Sequence, residues 1–593
     1  MDTKNLYGLQ CQEISQYKGI YEEQNILVCD TETVKGKPHL LQFYDGVEVS
    51  LIYVNEHTIF DVYCEYVAKH MKPNLSVWFF YCQFDIPIIH YPYKEYFTYD
   101  GHKMHMGHFK FEYVTGKTWF GNHYYKKQAW CERDAFQYVF RGLEKVAKDL
   151  QLSVNKKPRP SWLGERKPLT QEEKIQFEDY AEGDVLVLWE LVYWILGIHR
   201  QFNVGLSVSL ADLCGKIFRK QYVESPIKAT HADVTLAALS SYHGGKTECY
   251  VKGPMIIQNI NYFDIVSAYP YAMTQIGNFF DYEIEEYVPR FSQILNDGVY
   301  QVSGDILCGY HPMYDEKFSR VKYLDRQWVT GYELNSALEH KCFEGVIHTG
   351  FLMISHNEKS NGLAGYIWDF FKKKAKAKQQ KNITEYLWDK LAMNTLYGKF
   401  ISKISEEVDL LESWRGGVIF HPLIASLITG FVRGYAHTIE HACSSLHTAT
   451  DSFMTLRQDF DGVFPGVNGL GGVVKECQGD VLIVRGKVYV IFDKINPLCQ
   501  HIFTLSEDDK IQCLSCGGVV LKYATHGFSG SIQMLLNMWK GQNTNYVVKR
   551  MMRLKEAAKR KDPEVLPFVF SKQRRSLNVD WSKLTIYQGG NYG

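Results

Sequence analysis

The sequence has no excess of either charge, because 66 Lys and Arg residues balance 66 Asp and Glu residues in a chain of 593. A protein that binds nucleic acid through its overall field alone is basic, so that class is excluded. Local patches remain: residues 371–381 carry six lysines and no acid, and residues 549–575 carry ten Lys or Arg against three acids. We expect the second patch to form a solvated helical face.

Long apolar runs and a disulfide pattern are also missing. The sequence shows no N-terminal signal peptide and no apolar run of the ~18 residues that cross a bilayer. Its 14 cysteines have no paired spacing, so a disulfide framework is not indicated. We therefore expect an intracellular protein of a reducing compartment, such as a host cytoplasm, without a membrane association.

The length predicts several domains, about three or four at ~150 residues each. An apolar content of 46% with 22% charged residues is typical of a folded protein. Strand patterns near the N-terminus are followed by helical spacing at 134–151 and 171–197. This order favours an α/β nuclease-like domain up to roughly residue 205.

A first group of acidic residues lies in this N-terminal part. In CDTET, Asp30 and Glu32 follow an apolar strand two residues apart, and the side-chain period of two puts both on one face. Asp85 ends the run WFFYCQFD, and YAEGD places Tyr180 and Asp184 four apart on one face of a helix. Carboxylates on one face repel unless a cation lies between them, so the group indicates a divalent-metal site. Taken singly, each acid is equally well explained as a solvated strand end.

A second group begins with FDIVSAYP, in which Asp264 ends an apolar strand. The later segment HTATDSFMT reads as a β-hairpin tip that carries one acid, Asp451. Between them, KLAMNTLYG places Lys390, Asn394 and Tyr397 on one stripe of a helix, where a cation, an amide and a ring can meet a nucleotide. In isolation this stripe is equally typical of an ordinary half-exposed helix.

The order of these segments resembles the three exonuclease motifs and motifs A, B and C of family B DNA polymerases, over roughly residues 26–530. YHGG at 242–245, GKVY at 486–489 and roughly 120 residues between motifs A and B resemble the protein-primed branch. The resemblance implies a multidomain α/β and α+β fold. An RNase H-like exonuclease domain would precede a right-hand polymerase of palm, fingers and thumb.

The expected domain boundaries follow from the motif positions. They are 1–205 for the exonuclease domain, 206–274 for the first part of the palm, 275–365 for an insertion that holds terminal protein, 366–400 for the fingers, 401–495 for the second part of the palm, and 496–593 for the thumb and basic C-terminal region. Only about twenty residues lie between Phe400 and His421, so the second insertion of this branch looks short.

The resemblance also implies roles for individual residues. The expected metal ligands are Asp264 and Asp451 for nucleotidyl transfer, and Asp30, Glu32, Asp85 and Asp184 for the exonuclease, with Tyr180 and Lys145 as further catalytic residues of the exonuclease. The expected nucleotide-binding residues are Tyr269, Lys378, Lys390, Asn394 and Tyr397. The expected DNA-binding residues are Thr33, Phe84, Tyr242, Gly244, Gly245, Lys487 and Tyr489.

The cofactor implied is Mg²⁺, replaceable by Mn²⁺, with two ions per active site. The implied partners are template and primer DNA, dNTPs, a terminal protein that serves as primer, and a single-stranded DNA-binding protein. We expect the chain to act as a monomer.

Two positions depart from the family pattern. Motif C usually reads as an aromatic followed by Asp-Thr-Asp, and here His447 and Ala449 replace the aromatic and the first Asp. The second exonuclease motif usually begins with Asn, and here Tyr81 stands there. These departures leave two alternatives open, a polymerase-impaired exonuclease relative and a non-catalytic DNA-binding replication subunit. Six retained motif carboxylates argue against the second, because unpaired acids repel phosphates.

One group of possible metal ligands lies outside these motifs. Cys499, His501, Cys513 and Cys516 are close in sequence. Because CxxC alone is common and this one lies in a Gly-flanked turn, the sequence favours an ordinary turn over a zinc site.

Overall fold

A computed structural model of the protein describes most of the chain. The described residues are 9–92, 97–100, 103–106, 109–114, 120–125, 128–290, 293–356, 362–408, 411–494, 496, 499, 503–505, 511–513, 515–525, 546–551, 570–575 and 583–587.

The N-terminal domain is built on a nine-stranded sheet in the order β3-β2-β1-β4-β9-β8-β7-β6-β5. Strand β1 pairs antiparallel with β2 and parallel with β4, which pairs parallel with β9. The elements are β1 Asn25–Val34, β2 Lys37–Tyr44, β3 Val49–Tyr53, α1 Ile59–Lys69, β4 Leu75–Phe79, α2 Cys82–Ile89, β5 Phe97–Asp100, β6 Lys103–Met106, β7 Phe109–Val114, β8 Phe120–Tyr125, β9 Gln128–Asp134, α3 Phe136–Val139, α4 Leu143–Asp149 and α5 Gln171–Phe202.

Helix α5 closes this domain against the sheet. The Thr170 side chain accepts a hydrogen bond from the amide of Glu173 and so caps the helix N-terminus. The helix contacts β1, β2 and β3, and its buried face carries both Tyr180 and Asp184. This arrangement brings the acids of β1 and α5 to one place.

A second, eight-stranded sheet forms the centre of the molecule, in the order β10-β18-β19-β11-β20-β21-β24 with β27 paired to β11. Its strands are β10 Thr247–Cys249, β11 Met255–Ile265, β18 His447–Ala449, β19 Ser452–Thr455, β20 Val473–Arg485, β21 Val488–Phe492, β24 Val520–Thr525 and β27 Thr585–Tyr587. The helices around it are α6 Leu210–Gln221, α7 Ala232–Ser241, α8 Ala268–Gln275 and α12 Pro422–Cys443. Helix α12 is buried along its whole length because it is apolar on nearly every side.

Two further units lie between β11 and α12. A four-stranded sheet of order β12-β15-β13-β14 occupies the segment expected as an insertion and has its own apolar core. Its elements are β12 Tyr282–Glu286, β13 Gly298–Ile306, β14 Tyr323–Thr330, α9 Gly331–Glu339 and β15 Phe343–Ser355, and the helices after it are α10 Gly362–Gln379, α11 Ile383–Thr395 and a 3₁₀ helix Leu396–Ile401. A hairpin of β16 Lys403–Val408 and β17 Leu411–Gly416 follows.

The C-terminal expectations need correction. Strands β24 and β27 belong to the central sheet, so the region after residue 495 is not a separate thumb throughout. Two hairpins lie in this region, β22 Phe503–Leu505 with β23 Ile511–Cys513, and β25 Tyr546–Met551 with β26 Phe570–Arg575. The ends of the basic segment 549–575 are therefore paired strands and not a helical face.

The cysteines depart from the expectation in one place, since Cys308 and Cys342 form a disulfide bond. They follow β13 and precede β15, two strands that pair with each other. None of the helices in the described part of the chain has both the length and the apolar character that a membrane crossing requires.

Candidate active sites

Three carboxylates of the N-terminal domain come together as the sequence predicts. Asp30 and Glu32 lie on β1 and Asp184 lies on α5, with one oxygen of each within 4.8 Å of the others. The side-chain alternation of β1 aims Asp30 and Glu32 at α5, whereas Thr31 between them is buried. The predicted grouping of these three acids is therefore observed.

Burial and mutual repulsion destabilise the negative charges of this cluster. Burial first, and then the charge of Asp184, raise the pKa of Asp30 to about 7. Burial and the charges of Asp30 and Asp184 raise the pKa of Glu32 well above its usual value. A cation between the oxygens would reverse both effects, so the electrostatics fit a divalent-metal site.

Asp85, the fourth predicted ligand, lies on α2 beside this cluster. Its Oδ1 accepts a hydrogen bond from the Thr31 hydroxyl at 2.7 Å, and burial followed by the charge of Asp30 raises its pKa well above normal. Its Oδ2 and the Oδ1 of Asp184 are buried acceptors with no hydrogen-bond partner in the structure. Unsatisfied carboxylate oxygens are the donors that Mg²⁺ takes, so these residues fit the expected metal.

The structure brings a different lysine to this site than the predicted Lys145. Lys145 is exposed on α4, and the cations that act on the cluster are Lys156 and Arg159. The Lys156 ammonium donates to Oδ2 of Asp184 at 2.9 Å. The segment before α5 folds back over that helix, since Lys157 lies against Gly183. The sequence signal was the basic run NKKPRP at 155–160.

Tyr180 lies beside Asp184 and is buried. The Lys156 ammonium, which donates to Asp184, is 5.2 Å from the Tyr180 ring centroid. The tyrosine and the lysine thus lie together at one carboxylate, an arrangement that fits a water-orienting role. The two predicted DNA contacts, Thr33 on β1 and Phe84 on α2, are half-buried at the rim of the same site.

Tyr81, which replaces the usual Asn, has a left-handed backbone with φ 75° at the start of α2. Asn tolerates this conformation better than most residues, which accounts physically for the usual choice. Here the amide of Tyr81 donates to Asp134 at 2.8 Å, and its ring packs edge-on against Phe136 at 5.1 Å. The backbone geometry is kept while the side chain at the rim has changed.

Asp264 and Asp451 meet in the central sheet. Asp264 ends β11 and pairs with Ser452 on β19, and Asp451 lies in the two-residue turn between β18 and β19. The amide of Ile265 donates to the carbonyl of Asp451 at 2.7 Å. The predicted hairpin tip and the predicted pairing of the two acids are thus both present.

Charges around this pair were only partly visible in the sequence. Burial, then Asp451 and Glu476, raise the pKa of Asp264 to about 7, while Lys522 and Lys390 act in the opposite direction. Glu476 lies at an irregularity where β20 pairs with β11 and forms an ion pair with Lys522. Glu476 and Lys522 belong to no motif, and only the strand pairing brings them to the site.

The turn that carries Asp451 is held by the segment 244–246. Thr450 has a left-handed φ of 67°, and its amide donates to the carbonyl of Lys246 at 2.6 Å. A Cβ on Gly245 would lie 2.7 Å from Oγ1 of Thr450 and 2.9 Å from the Tyr269 hydroxyl. Gly245 is therefore needed for a close approach between the YHGG segment, the turn and Tyr269.

The predicted nucleotide-binding residues line the same cleft. Tyr269 on α8 and Tyr397 in the 3₁₀ helix stack with centroids 4.1 Å apart and planes 6° apart. Lys390 and Asn394 are exposed on α11, and the Asn394 side chain donates to the carbonyl of Lys390 at 2.7 Å. Helix α11 ends at Thr395, and Tyr397 lies in the 3₁₀ helix that follows. Lys390, Asn394 and Tyr397 therefore do not lie along one face of a single α-helix as predicted, and the Tyr397 ring faces Tyr269.

Lys378 lies exposed on α10, and it is joined by a lysine that the sequence analysis did not select. Burial, then the charges of Lys390 and Lys378, lower the pKa of Lys374. Lys374 stands one helical turn before Lys378, on the same side of α10. The three ammonium groups form one cationic surface next to the stacked tyrosines.

Comparisons with known proteins agree with this geometry. Residues 143–414 match the family described as DNA polymerase type B, organellar and viral. The DNA-directed DNA polymerase of Enterobacteria phage PRD1 is 19% identical over 355 residues, which cover 54% of this chain and 61% of that protein. The chain therefore spans about three fifths of the length of this curated relative. This chain is therefore similar to the type B DNA polymerases over the matched residues.

Solved structures show the same fold. Phi29 DNA polymerase complexed with single-stranded DNA superposes with a TM-score of 0.65 at 17% identity, over 90% of this chain and 96% of that one. Phi29 DNA polymerase complexed with primer-template DNA and incoming nucleotide substrates gives a TM-score of 0.65 at 16% identity, over 89% and 96%. The predicted fold class, an exonuclease domain followed by a right-hand polymerase, is confirmed.

A buried arginine holds the YHGG segment. Arg433 on α12 donates to the carbonyls of Ser241, His243 and Gly244. Its Nε lies 2.7 Å from Oε1 of Glu333 on α9, and both side chains are buried. Sequence reasoning missed this residue, because nothing in an apolar helix pattern marks which polar side chain reaches a distant carbonyl.

The GKVY element supports the hairpin of Asp451 from the other side. The amide of Lys487 donates to Nε2 of His447 at 3.2 Å, and the Tyr489 ring packs edge-on against His447 at 5.2 Å. Tyr489 is only 3% exposed, and its hydroxyl donates to that of Tyr262 at 3.2 Å. In this arrangement Tyr489 supports the hairpin, whereas Lys487 is half-buried; their DNA-binding roles stay predictions.

Proposed function

We propose that the chain is a DNA-directed DNA polymerase with a 3′–5′ exonuclease, which replicates a linear viral, plasmid or mobile-element genome from a terminal-protein primer. The observation that carries the proposal is the meeting of Asp264 and Asp451 beside the stacked Tyr269 and Tyr397. A separate carboxylate cluster in the N-terminal domain supports the second activity. Phi29 DNA polymerase has been solved in complexes with single-stranded DNA, with primer-template DNA and with incoming nucleotides, which supports these as partners.

The polymerase cleft has the parts that nucleotidyl transfer needs. Two Mg²⁺ ions held by Asp264 and Asp451 would activate the primer hydroxyl and neutralise the charge of the leaving pyrophosphate. Tyr269, stacked on Tyr397, would present its ring to the incoming sugar and exclude a 2′-hydroxyl. The ammonium groups of Lys390 and Lys378 bind the triphosphate, and Lys374 adds to their field.

The N-terminal cluster has the parts of a phosphodiester hydrolase. Asp30, Glu32, Asp85 and Asp184 would hold two divalent ions, which supply the hydroxide equivalent and stabilise the leaving oxygen. Tyr180 orients the attacking water through its hydroxyl. Lys156, bound to Asp184, holds a positive charge where the leaving strand gains negative charge.

Protein priming is proposed from the insertion between motifs A and B. This unit folds on its own four-stranded sheet and exposes large apolar side chains to solvent. The exposed residues are Val288, Leu295, Leu307, Tyr323 and Val346. Apolar exposure of this kind is typical of a protein-binding surface, and a terminal protein that carries the priming hydroxyl is the partner that the proposed reaction requires.

A primer-extension assay with Mg²⁺ tests the polymerase. Wild type should extend a recessed primer, whereas Asp264→Asn and Asp451→Asn should abolish extension and leave degradation of single-stranded DNA intact. Asp281→Asn, an exposed carboxylate, is the matched control and should extend normally. A wild type that degrades primers without extending them would identify the exonuclease-only alternative, and one that does neither would identify the non-catalytic one.

Priming is tested separately. The chain is incubated with the candidate terminal protein, one labelled dNTP, and Mg²⁺ or Mn²⁺. A covalent nucleotide–protein adduct is expected, and it should disappear with Asp451→Asn. Extension of DNA primers without any adduct would limit the function to DNA-primed synthesis.

Ala449 gives a prediction about the metal. It stands on β18, two residues before Asp451, where the family has a carboxylate. Ala449→Asp adds one negative charge beside the proposed ions, so half-maximal extension should need less Mg²⁺ and the ratio of Mn²⁺ to Mg²⁺ activity should change. Titration of both metals measures this, and identical curves for the two proteins would refute the idea that position 449 tunes the site.

A further inference from the structure

We propose that Cys499, Cys513 and Cys516 bind a structural Zn²⁺ ion at the base of the β22–β23 hairpin. The three sulfur atoms lie within 4.8 Å of one another. None of these cysteines takes part in a disulfide. The hairpin is inserted between β21 and β24, two strands that pair with each other in the central sheet. The sequence analysis favoured an ordinary turn here, and the assembled geometry favours a metal.

The spacing of the sulfur atoms matches a zinc site. Zn–S bonds of about 2.3 Å at tetrahedral angles put two sulfurs ~3.8 Å apart, whereas a disulfide needs ~2.05 Å. Sγ of Cys499 and Sγ of Cys513 are 3.6 Å apart. Three thiolates leave one position of a tetrahedral ion for a further ligand. His501, the fourth member of the group in the sequence, lies outside the described residues.

The backbone around Cys513 brings the cysteines of the CxxC segment together. The amide of Gly517 donates to the carbonyl of Cys513 at 2.9 Å, and the amide of Cys513 donates to the carbonyl of Gly518 at 2.9 Å. Gly517 has a left-handed φ of 72°, which suits glycine and closes this tight turn. The turn leaves the sulfur atoms of Cys513 and Cys516 within reach of one ion, together with that of Cys499.

The hairpin has little else to stabilise it. Its strands β22 and β23 have three residues each, and an isolated two-stranded hairpin is marginal in water. Among the described residues from 511 to 518, only Cys513 and Gly518 are buried. Small units without an apolar core are commonly stabilised by a structural metal, so a zinc ion supplies what the hairpin lacks.

The proposed ion also fixes the start of β24. Directly after the cysteines, the amide of Val519 donates to Oδ1 of Asp493 at 2.8 Å, and the amide of Asp493 donates to the carbonyl of Val519 at 2.9 Å. Strand β24 then carries Lys522, whose ammonium lies 4.1 Å from the Tyr262 ring centroid and acts on Asp264. Loss of the ion should therefore disturb the polymerase site, a consequence that rests on the proposed function.

Metal analysis of the full chain tests the site without reference to activity. Protein purified without chelators or metal-affinity resin should contain zinc, and Cys513→Ser and Cys516→Ser should each contain one equivalent less. Cys131→Ser, a half-buried cysteine of the N-terminal sheet, is the matched control and should keep the wild-type content. Circular dichroism melting identifies any variant that fails to fold. Equal zinc content in wild type and in folded Cys513→Ser would overturn the proposal.

Two further measurements sharpen the result. After exchange for Co²⁺, the protein should show thiolate-to-cobalt charge-transfer absorption that Cys516→Ser weakens, and a spectrum unchanged by this substitution would contradict thiolate ligation. Primer extension by Cys513→Ser should fall more than its exonuclease activity. If zinc is lost while extension is unchanged, the link from the ion to Lys522 is refuted and the zinc site stands.

Discussion

Replacing Gly245 with alanine would place a methyl group between the motif C turn and the ring of Tyr269. The added Cβ would lie 2.7 Å from Oγ1 of Thr450, closer still to its Cγ2, and 2.9 Å from the Tyr269 hydroxyl. Carbon atoms in contact are ~3.5–4.0 Å apart. The neighbours therefore have to separate by about 1 Å.

The side chain of Thr450 cannot move aside alone. Because threonine branches at Cβ, rotation about χ1 only exchanges Oγ1 and Cγ2 in front of the new methyl group. The displacement passes to the backbone, which is tied at this residue by the hydrogen bond from its amide to the carbonyl of Lys246. The next residue is Asp451, so the proposed metal ligand moves too. A displacement of ~1 Å at a reacting centre costs on the order of 100-fold in rate.

Primer extension under single-turnover conditions measures the effect, with single-stranded DNA degradation as an internal reference. Gly245→Ala should extend on the order of 100-fold more slowly and degrade DNA at the wild-type rate. Gly244→Ala is the matched control, since a Cβ there meets nothing within 4 Å. Thr450→Gly removes both branches at a backbone with φ 67° that suits glycine, so combining it with Gly245→Ala should restore most of the rate.

Two results would refute this reasoning. If Gly245→Ala extends as fast as Gly244→Ala, the close approach of the YHGG segment does not position Asp451. If the double variant is as slow as Gly245→Ala, the displacement does not pass through Thr450.

Three further predictions follow from the charges of the described residues. Lys156→Met should slow DNA degradation on the order of 100-fold without affecting extension, whereas Lys145→Met should leave both rates unchanged; equal effects would restore Lys145 as the candidate. Arg433→Met should destabilise the palm by about 3–5 kcal/mol because it leaves Glu333 buried and unpaired; urea unfolding measures this, and adding Glu333→Gln should recover part of it. The pKa of Asp264, raised to about 7, lies above its unfolded value of ~3.9, so its contribution to stability is full below pH ~4 and is lost as pH rises to 7. Thermal melting in EDTA should therefore decline with pH less steeply for Asp264→Asn than for wild type, and parallel profiles would contradict the raised pKa.

Local patterns predicted the parts of the site that lie on one element. The two-residue period of a strand puts Asp30 and Glu32 together, and the helical period puts Tyr180 beside Asp184, whatever the rest of the chain does. The hairpin around Asp451 was likewise predictable from the sequence, because a polar turn between two short apolar strands has few other possible structures. Order along the chain then identified the family.

Contacts between residues of distant segments could not be predicted from local sequence patterns. Arg433 and Glu333 are 100 residues apart in the sequence. In the sequence alone, each is indistinguishable from an ordinary exposed charged residue. Lys145 was selected by its resemblance to a family position, whereas the lysine that contacts Asp184 is Lys156, which reaches it from an irregular segment that no local period marks. Strands β24 and β27 enter the central sheet by pairing across long loops, and pairing of this kind leaves no local periodicity.

The charges of the proposed polymerase site bear on how many ions it holds. Asp264, Asp451 and Glu476 form a group of three carboxylates, and the ammonium of Lys522 contacts Glu476, which leaves two negative charges.

Two negative charges balance one divalent cation. A second ion at this site then needs the negative charge that a substrate phosphate brings, so its binding is coupled to DNA or nucleotide. A carboxylate at position 449 would supply that charge permanently. With Ala449 at this position, binding of the second ion depends on the substrate. The Mg²⁺ concentration that Ala449→Asp requires should therefore change less with nucleotide concentration than the Mg²⁺ concentration that wild type requires.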